Sequence, residues 1–184
     1  MIINHWEIIN GLLSYLTSLF MRTTGFTSRK AFTLLTAGFI LHNIEEAITM
    51  PGQQSVSQVS FLQLPTYNQF LLSVAILTIA ALFAYIAAMR TQNGKTYLFI
   101  STAIAAALLF NVFVPHLAAA ALTLKYTPGL ITAVLLNLPF GILLLKLNKP
   151  LFADLRQMII YILGGFGAGY LLFAAVMGTV RLFI

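Results

Sequence analysis

The chain has 184 residues, of which 60% are hydrophobic and only 8% charged, with a mean hydropathy of +0.94. Soluble domains carry about a quarter charged residues, so this composition excludes a soluble enzyme and predicts an all-α, polytopic membrane helical bundle. The net charge is +6, but the basic residues are scattered over loop ends rather than gathered into a patch, which excludes a nucleic-acid partner; with no cysteine, disulfides, thiolate metal sites and cysteine nucleophiles are excluded as well.

Residues 2–20 place Ile2, Trp6, Ile9, Leu12, Leu13, Leu16, Leu19 and Phe20 on one face and Asn4, Glu7, Asn10, Ser14 and Thr17 on another. That is the period of an amphipathic helix. It either lies in the cytoplasmic interface, with His5 and Trp6 as anchors, or crosses as a sixth span with its polar stripe inward. A cleaved signal peptide is not expected, because Glu7 and His5 stand where a basic region belongs. Residues 1–30 therefore form an amphipathic helix and basic linker, and residues 31–184 a single bundle.

Five transmembrane helices are expected after the linker. The first covers residues 31–50, with Thr27 or Ser28 as N-cap and Pro51-Gly52 as its end. An uncharged loop follows over 51–65, whose Phe61, Leu62 and Leu64 can press onto the membrane. The second span covers about 67–89, and Asn93-Gly94 marks a tight turn. The third, about 97–124, contains Asn111, Pro115 and His116. Thr127-Pro128-Gly129 opens the fourth, with Thr127 as N-cap and Pro128 at the first helical position, and Asn137 lies near its middle. The fifth, about 157–182, carries Gly165-x-x-x-Gly169, a spacing suited to close helix packing.

Loop charges set the orientation. With residues 22–30 in the cytoplasm, the inside loops hold Arg22, Arg29, Lys30, Arg90, Lys95, Lys146, Lys149 and Arg156; the outside holds Lys125 and Arg181. This asymmetry fits the plasma (inner) membrane of a prokaryote, with the C-terminus outside.

The first span is otherwise apolar, yet it carries His42, Glu45 and Glu46. A carboxylate near a span centre costs about 2.5–3.5 kcal/mol on insertion scales. No Arg or Lys lies inside a span, and only Lys125 is on the side from which it can snorkel in. The remaining sources of compensation are an imidazolium, a proton or a bound cation. His42 sits three residues from Glu45 and four from Glu46, so both carboxylates flank one helix face. His116 falls late in its own span, at the same outer level. Pro115 is expected to kink the third helix, which matters because Asn111 and His116 would point about 140° apart on a straight helix. Asn137, Lys125 and Tyr126 are further pocket candidates, the last two as a roof.

His42-x-x-Glu45-Glu46, Asn111 with His116, and Tyr126-x-Pro128-Gly129 together resemble the HXXEE-domain family of small integral membrane proteins, over about residues 31–147. The resemblance implies a membrane-bound enzymatic activity residing in these polar residues. The diglutamate with histidines and asparagine on other helices is also similar in its parts to intramembrane proteases of the CAAX-processing type. The chain departs from their Glu-Glu-x-x-x-Arg pattern, having Met50 four residues after Glu46.

The leading functional expectation is a metal-dependent hydrolase acting on a lipid or other membrane substrate. His42, His116 and Glu46 would hold a divalent metal such as Zn²⁺ with a position left for water. Glu45 would then be the general base; in a metal-free variant a glutamate would activate water and a histidine or Asn111 would stabilise the oxyanion. The alternatives are a metal-free glutamate-based hydrolase, an ion or proton transporter, a lipid-binding protein, and a purely structural polar latch. Replacing either glutamate by Gln or Met is expected to stabilise a functional site and to destabilise a latch.

Overall fold

The computed structural model describes residues 26–52 and 66–183. The expected N-terminal amphipathic helix, its alternative as a sixth span, and most of the 51–65 loop lie outside the described residues. Five long helices run through the described part: α1 (Ser28–Thr49), α2 (Tyr67–Arg90), α3 (Gly94–Thr123), α4 (Leu130–Leu151) and α5 (Leu155–Phe183). By length and composition α2 to α5 qualify as membrane spans; α1, the helix that carries the ionisable cluster, does not reach the same criterion.

Local sequence explains the ends. Thr27 caps α1 by accepting from the Lys30 N–H. Thr66 and Gln69 form a reciprocal capping box on α2. Asn93 accepts from the Lys95 and Thr96 N–H groups, so Gly94 is the first residue of α3 and not part of a tight turn. Thr127 likewise does not cap α4. Its residues make a reverse turn closed by Leu130 N–H to the Thr127 carbonyl at 3.1 Å, Gly129 adopts φ +78°, and α4 begins at Leu130. Pro128 and a left-handed glycine fill the central positions of that turn, where each is favoured.

Helices α1, α2, α3 and α4 form a four-sided bundle in which α1 packs on α2 and α4, and α3 packs on the same two from the other side. Helix α5 lies outside this square in the groove of α3 and α2. Its approach to α3 rests on small residues: a Cβ at Gly165 would stand 2.2 Å from the Ala103 Cα, and one at Gly169 2.8 Å from the Ala107 Cβ. Phe32, Leu35, Tyr97, Ala105, Leu108 and Leu144 form the apolar core. At the end of the bundle away from His42, Asn148 accepts from Ser28 and donates to Ser101 and Thr102, both at 3.0 Å. That buried amide is fully paired.

Two helices are irregular beside the ionisable cluster. In α3, Val114 is extended (φ −135°, ψ 111°) and the Val114–Pro115 peptide is cis. In α4, the Leu138 N–H reaches back five residues to the Ala133 carbonyl, which widens the turn.

Candidate metal centre

His42 and Glu46 occupy the last turns of α1, on the face turned into the bundle, while Leu41, Ile44 and Ile48 of the same turns are exposed. His116 follows the break in α3. A straight helix would send Asn111 and His116 to different sides; with Val114 extended, both reach the same point. The two imidazoles meet edge to face, their centroids 4.6 Å apart. His42 Nε2 is 3.5 Å and His116 Nε2 3.3 Å from the same Glu46 oxygen, Oε1. All three ligand atoms lie within 4.8 Å of one another, so these residues are positioned to hold a metal ion. Donors bound about 2.0–2.2 Å from one ion stand about 3–3.5 Å apart, which is the spacing seen between Glu46 and each imidazole.

The reverse turn before α4 contacts both histidines. His42 Nδ1 lies 3.0 Å from the Gly129 carbonyl and 3.2 Å from the Thr132 hydroxyl. A carbonyl can only accept, so Nδ1 carries the hydrogen and Nε2 presents a lone pair to the cluster. The Thr127 hydroxyl of the same turn donates to the His116 carbonyl at 3.3 Å, whereas His42 is tied through its ring. Histidine ligands are commonly oriented by such a bond from the other ring nitrogen. Gly129 must also be small, because a Cβ there would stand 2.6 Å from His42 Cε1 and 2.7 Å from Glu46 Cγ. The Tyr126-x-Pro128-Gly129 segment is thus the orienting wall of the cluster.

Asn111 lies between the rings, its Nδ2 3.1 Å from His42 Nε2 and 3.2 Å from His116 Nε2. Two unprotonated nitrogens can both accept from one amide group, which agrees with the His42 tautomer set by the turn.

Glu45 has a different environment. Its Oε1 accepts from the Tyr126 hydroxyl and from Ile131 N–H at 3.1 Å; its Oε2 accepts from Thr132 N–H at 2.7 Å and the Thr132 hydroxyl at 2.5 Å. Ile131 and Thr132 are in the first turn of α4, whose N–H groups have no partner within the helix. Glu45 therefore caps α4 from another helix, and the positive end of the α4 dipole faces its charge. The counterpart of Glu45 is thus a helix terminus rather than the imidazolium, proton, cation or Lys125 expected from sequence. A bond from His42 to Thr132 and from Thr132 to Glu45 ties this anchor to the first imidazole.

The other candidates separate. Tyr126 roofs the cluster through its bond to Glu45. Lys125 is exposed, and the ion-pair contacts of Glu46 among the described residues are with the two histidines. Asn137 is fully buried one turn deeper, beside Gly38, with no hydrogen-bond partner among the described residues. Thr132 and the carbonyl of Gly129 were not singled out as site groups from sequence. A threonine three residues after a Pro-Gly turn is a weak signal by itself.

Comparison with known proteins agrees with the motif. The chain is 32% identical over 105 residues to the uncharacterized protein YrkK of Bacillus subtilis (strain 168), a match that covers 57% of this chain and 66% of that protein. The chain thus spans just under two thirds of that relative's length. No solved structure matches. The family model described as a protein of unknown function with HXXEE motif matches residues 33–144, more than half of the chain, and the region that holds His42, Glu45, Glu46, Asn111, His116 and the Pro128-Gly129 turn; the chain belongs to that family.

Proposed function

We propose that the protein is a membrane-embedded, metal-dependent hydrolase acting on a lipid or other membrane substrate, with a divalent ion such as Zn²⁺ held by His42, His116 and Glu46. The observation that carries this reading is the convergence of three ligand-type atoms, two Nε2 atoms and Glu46 Oε1, within 4.8 Å of one another, while the other ring nitrogen of His42 is tied to the Gly129 carbonyl. A cation among these three atoms would take up the lone pairs that the Asn111 amide otherwise occupies. Such an ion lowers the pKa of bound water and polarises a carbonyl or phosphoryl oxygen. The chain's own residues orient and enclose. Glu45 holds the start of α4, Thr132 and Gly129 hold His42, and Thr127 holds the His116 backbone. Glu46 is the partly exposed member of the cluster and marks its open side.

In this reading α1 is a fifth span. Its low hydropathy comes from residues that face into the bundle, while Leu34, Leu41, Ile44 and Ile48 face outward. The loop charges then put residues 22–30 in the cytoplasm and the cluster in the outer half of the bilayer. Transport is the weaker reading. About 16 Å of α4 separates Asn137 from Asn148, and Phe32, Leu35, Ala105, Leu108 and Leu144 fill that layer with apolar side chains.

Elemental analysis of protein purified in detergent without chelator tests the proposal. The expected content is about one divalent ion per chain, lost in Glu46→Ala and His116→Ala. A folded wild-type protein with no bound metal, and none taken up on titration, would overturn it.

A further inference from the structure

We infer that Asn111 is a fourth metal ligand, through its side-chain oxygen, and that the centre is therefore more than four-coordinate when substrate or water is also bound. The inference rests on the metal reading above. Asn111 Nδ2 stands 3.1 Å and 3.2 Å from the two Nε2 atoms, so one end of its carboxamide sits at the separation expected between neighbouring ligands of one ion. In the metal-free arrangement the amide group donates to both nitrogens. A cation bound to the two Nε2 lone pairs removes those acceptors and repels the amide hydrogens. The two ends of a carboxamide have nearly the same shape, so rotation about the terminal torsion replaces Nδ2 with Oδ1 and turns an opposed dipole into a ligand.

The surroundings make this rotation local. Asn111 is the last regular residue of α3 before the turn that contains extended Val114, and its backbone remains helical at φ −57° and ψ −37°. The His42 ring is held independently by the Gly129 carbonyl and Thr132, and the His116 backbone by the Thr127 hydroxyl, when the amide turns over. The donor set becomes two imidazole nitrogens, one carboxylate oxygen and one amide oxygen. Oxygen-rich mixed sets of this kind suit five- or six-coordinate first-row ions. A four-coordinate zinc would be closed by the same four ligands, so the additional position for water or a substrate oxygen requires a higher coordination number.

Cobalt(II) titration of the full chain in detergent tests the assignment, because its visible absorption is weak in five- or six-coordinate sites and strong in four-coordinate ones. Wild type is expected to bind with the weak spectrum. Asn111→Leu and Asn111→Ser are each expected to lower Co²⁺ affinity at least about tenfold, since even the loss of a group supporting a ligand costs 10–100-fold, and to intensify the absorption. Asn111→Asp, which keeps an oxygen in place, is expected to retain the wild-type spectrum. Wild-type affinity and spectrum in whichever of the Leu and Ser variants is monodisperse would overturn the inference and leave the three-ligand centre standing. Failure of wild type itself to bind cobalt would remove the centre.

Discussion

Glu45 and Glu46 are adjacent in sequence and opposite in circumstance. Glu45 accepts four hydrogen bonds, two of them from backbone N–H groups at the start of α4. Glu46 faces the Nε2 atoms of two imidazoles, both of which also contact the Asn111 amide. Substitution should therefore separate them. Glu45→Gln puts an amide donor against donors, and the loss of a charged acceptor costs about 1.5–3 kcal/mol, so the melting temperature is expected to fall. In metal-free protein Glu46→Gln is expected to raise it, by about 1 kcal/mol of stability, because its amide can donate to a nitrogen lone pair. Thermal melting of both variants in detergent checks this, and a loss of stability in both would mark the whole cluster as a structural latch. Spacing along α1 puts both glutamates within about one turn of His42 and does not separate their partners. Their separation depends on α4, whose start is 84 residues beyond Glu46 in the chain, as 130 − 46 gives.

The glycines of α5 show how much an element can reveal before its partner is known. Their four-residue spacing predicted a close contact, and Gly165 and Gly169 supply it against Ala103 and Ala107 of α3. Gly164, one position away, meets nothing within 4 Å. Gly165→Ala should thus cost at least about 1–3 kcal/mol by overpacking, because the nearest atoms are backbone and cannot yield. Gly164→Ala should gain about 0.5–1 kcal/mol from reduced backbone freedom. Melting curves of the pair test the packing of α5, and equal effects would contradict it. In α3, Pro115 signalled a disruption, but the sequence could not show that the extended residue is Val114, nor that the break turns Asn111 and His116 toward one point. The start of α4 was displaced for a similar reason. Thr127 has the right side chain for a cap, yet it contributes to a turn and donates to the His116 carbonyl instead.

At the scale of the molecule, the helical architecture and the identity of its polar residues were legible, while their partnerships were not. Topology can be tested with single cysteines, since the native chain has none. Lys95→Cys and Lys125→Cys stand at opposite ends of α3, both exposed. A membrane-impermeant thiol reagent applied to intact cells is expected to label only the second; labelling of the first alone would invert the orientation and place the cluster in the inner half of the bilayer. The sequence by itself determined that the chain is a bundle of apolar helices, because composition and span length admit little else in a bilayer. It also determined that His42, Glu45, Glu46, Asn111 and His116 need explanation, because such groups are costly in that solvent. Only the tertiary structure decided how each is compensated. Hydrogen bonds and ligand positions depend on distances between helices, which periodicity along one helix does not contain. It placed the α4 terminus against Glu45, the Gly129 carbonyl against His42, and Glu46 with two imidazole nitrogens at one point.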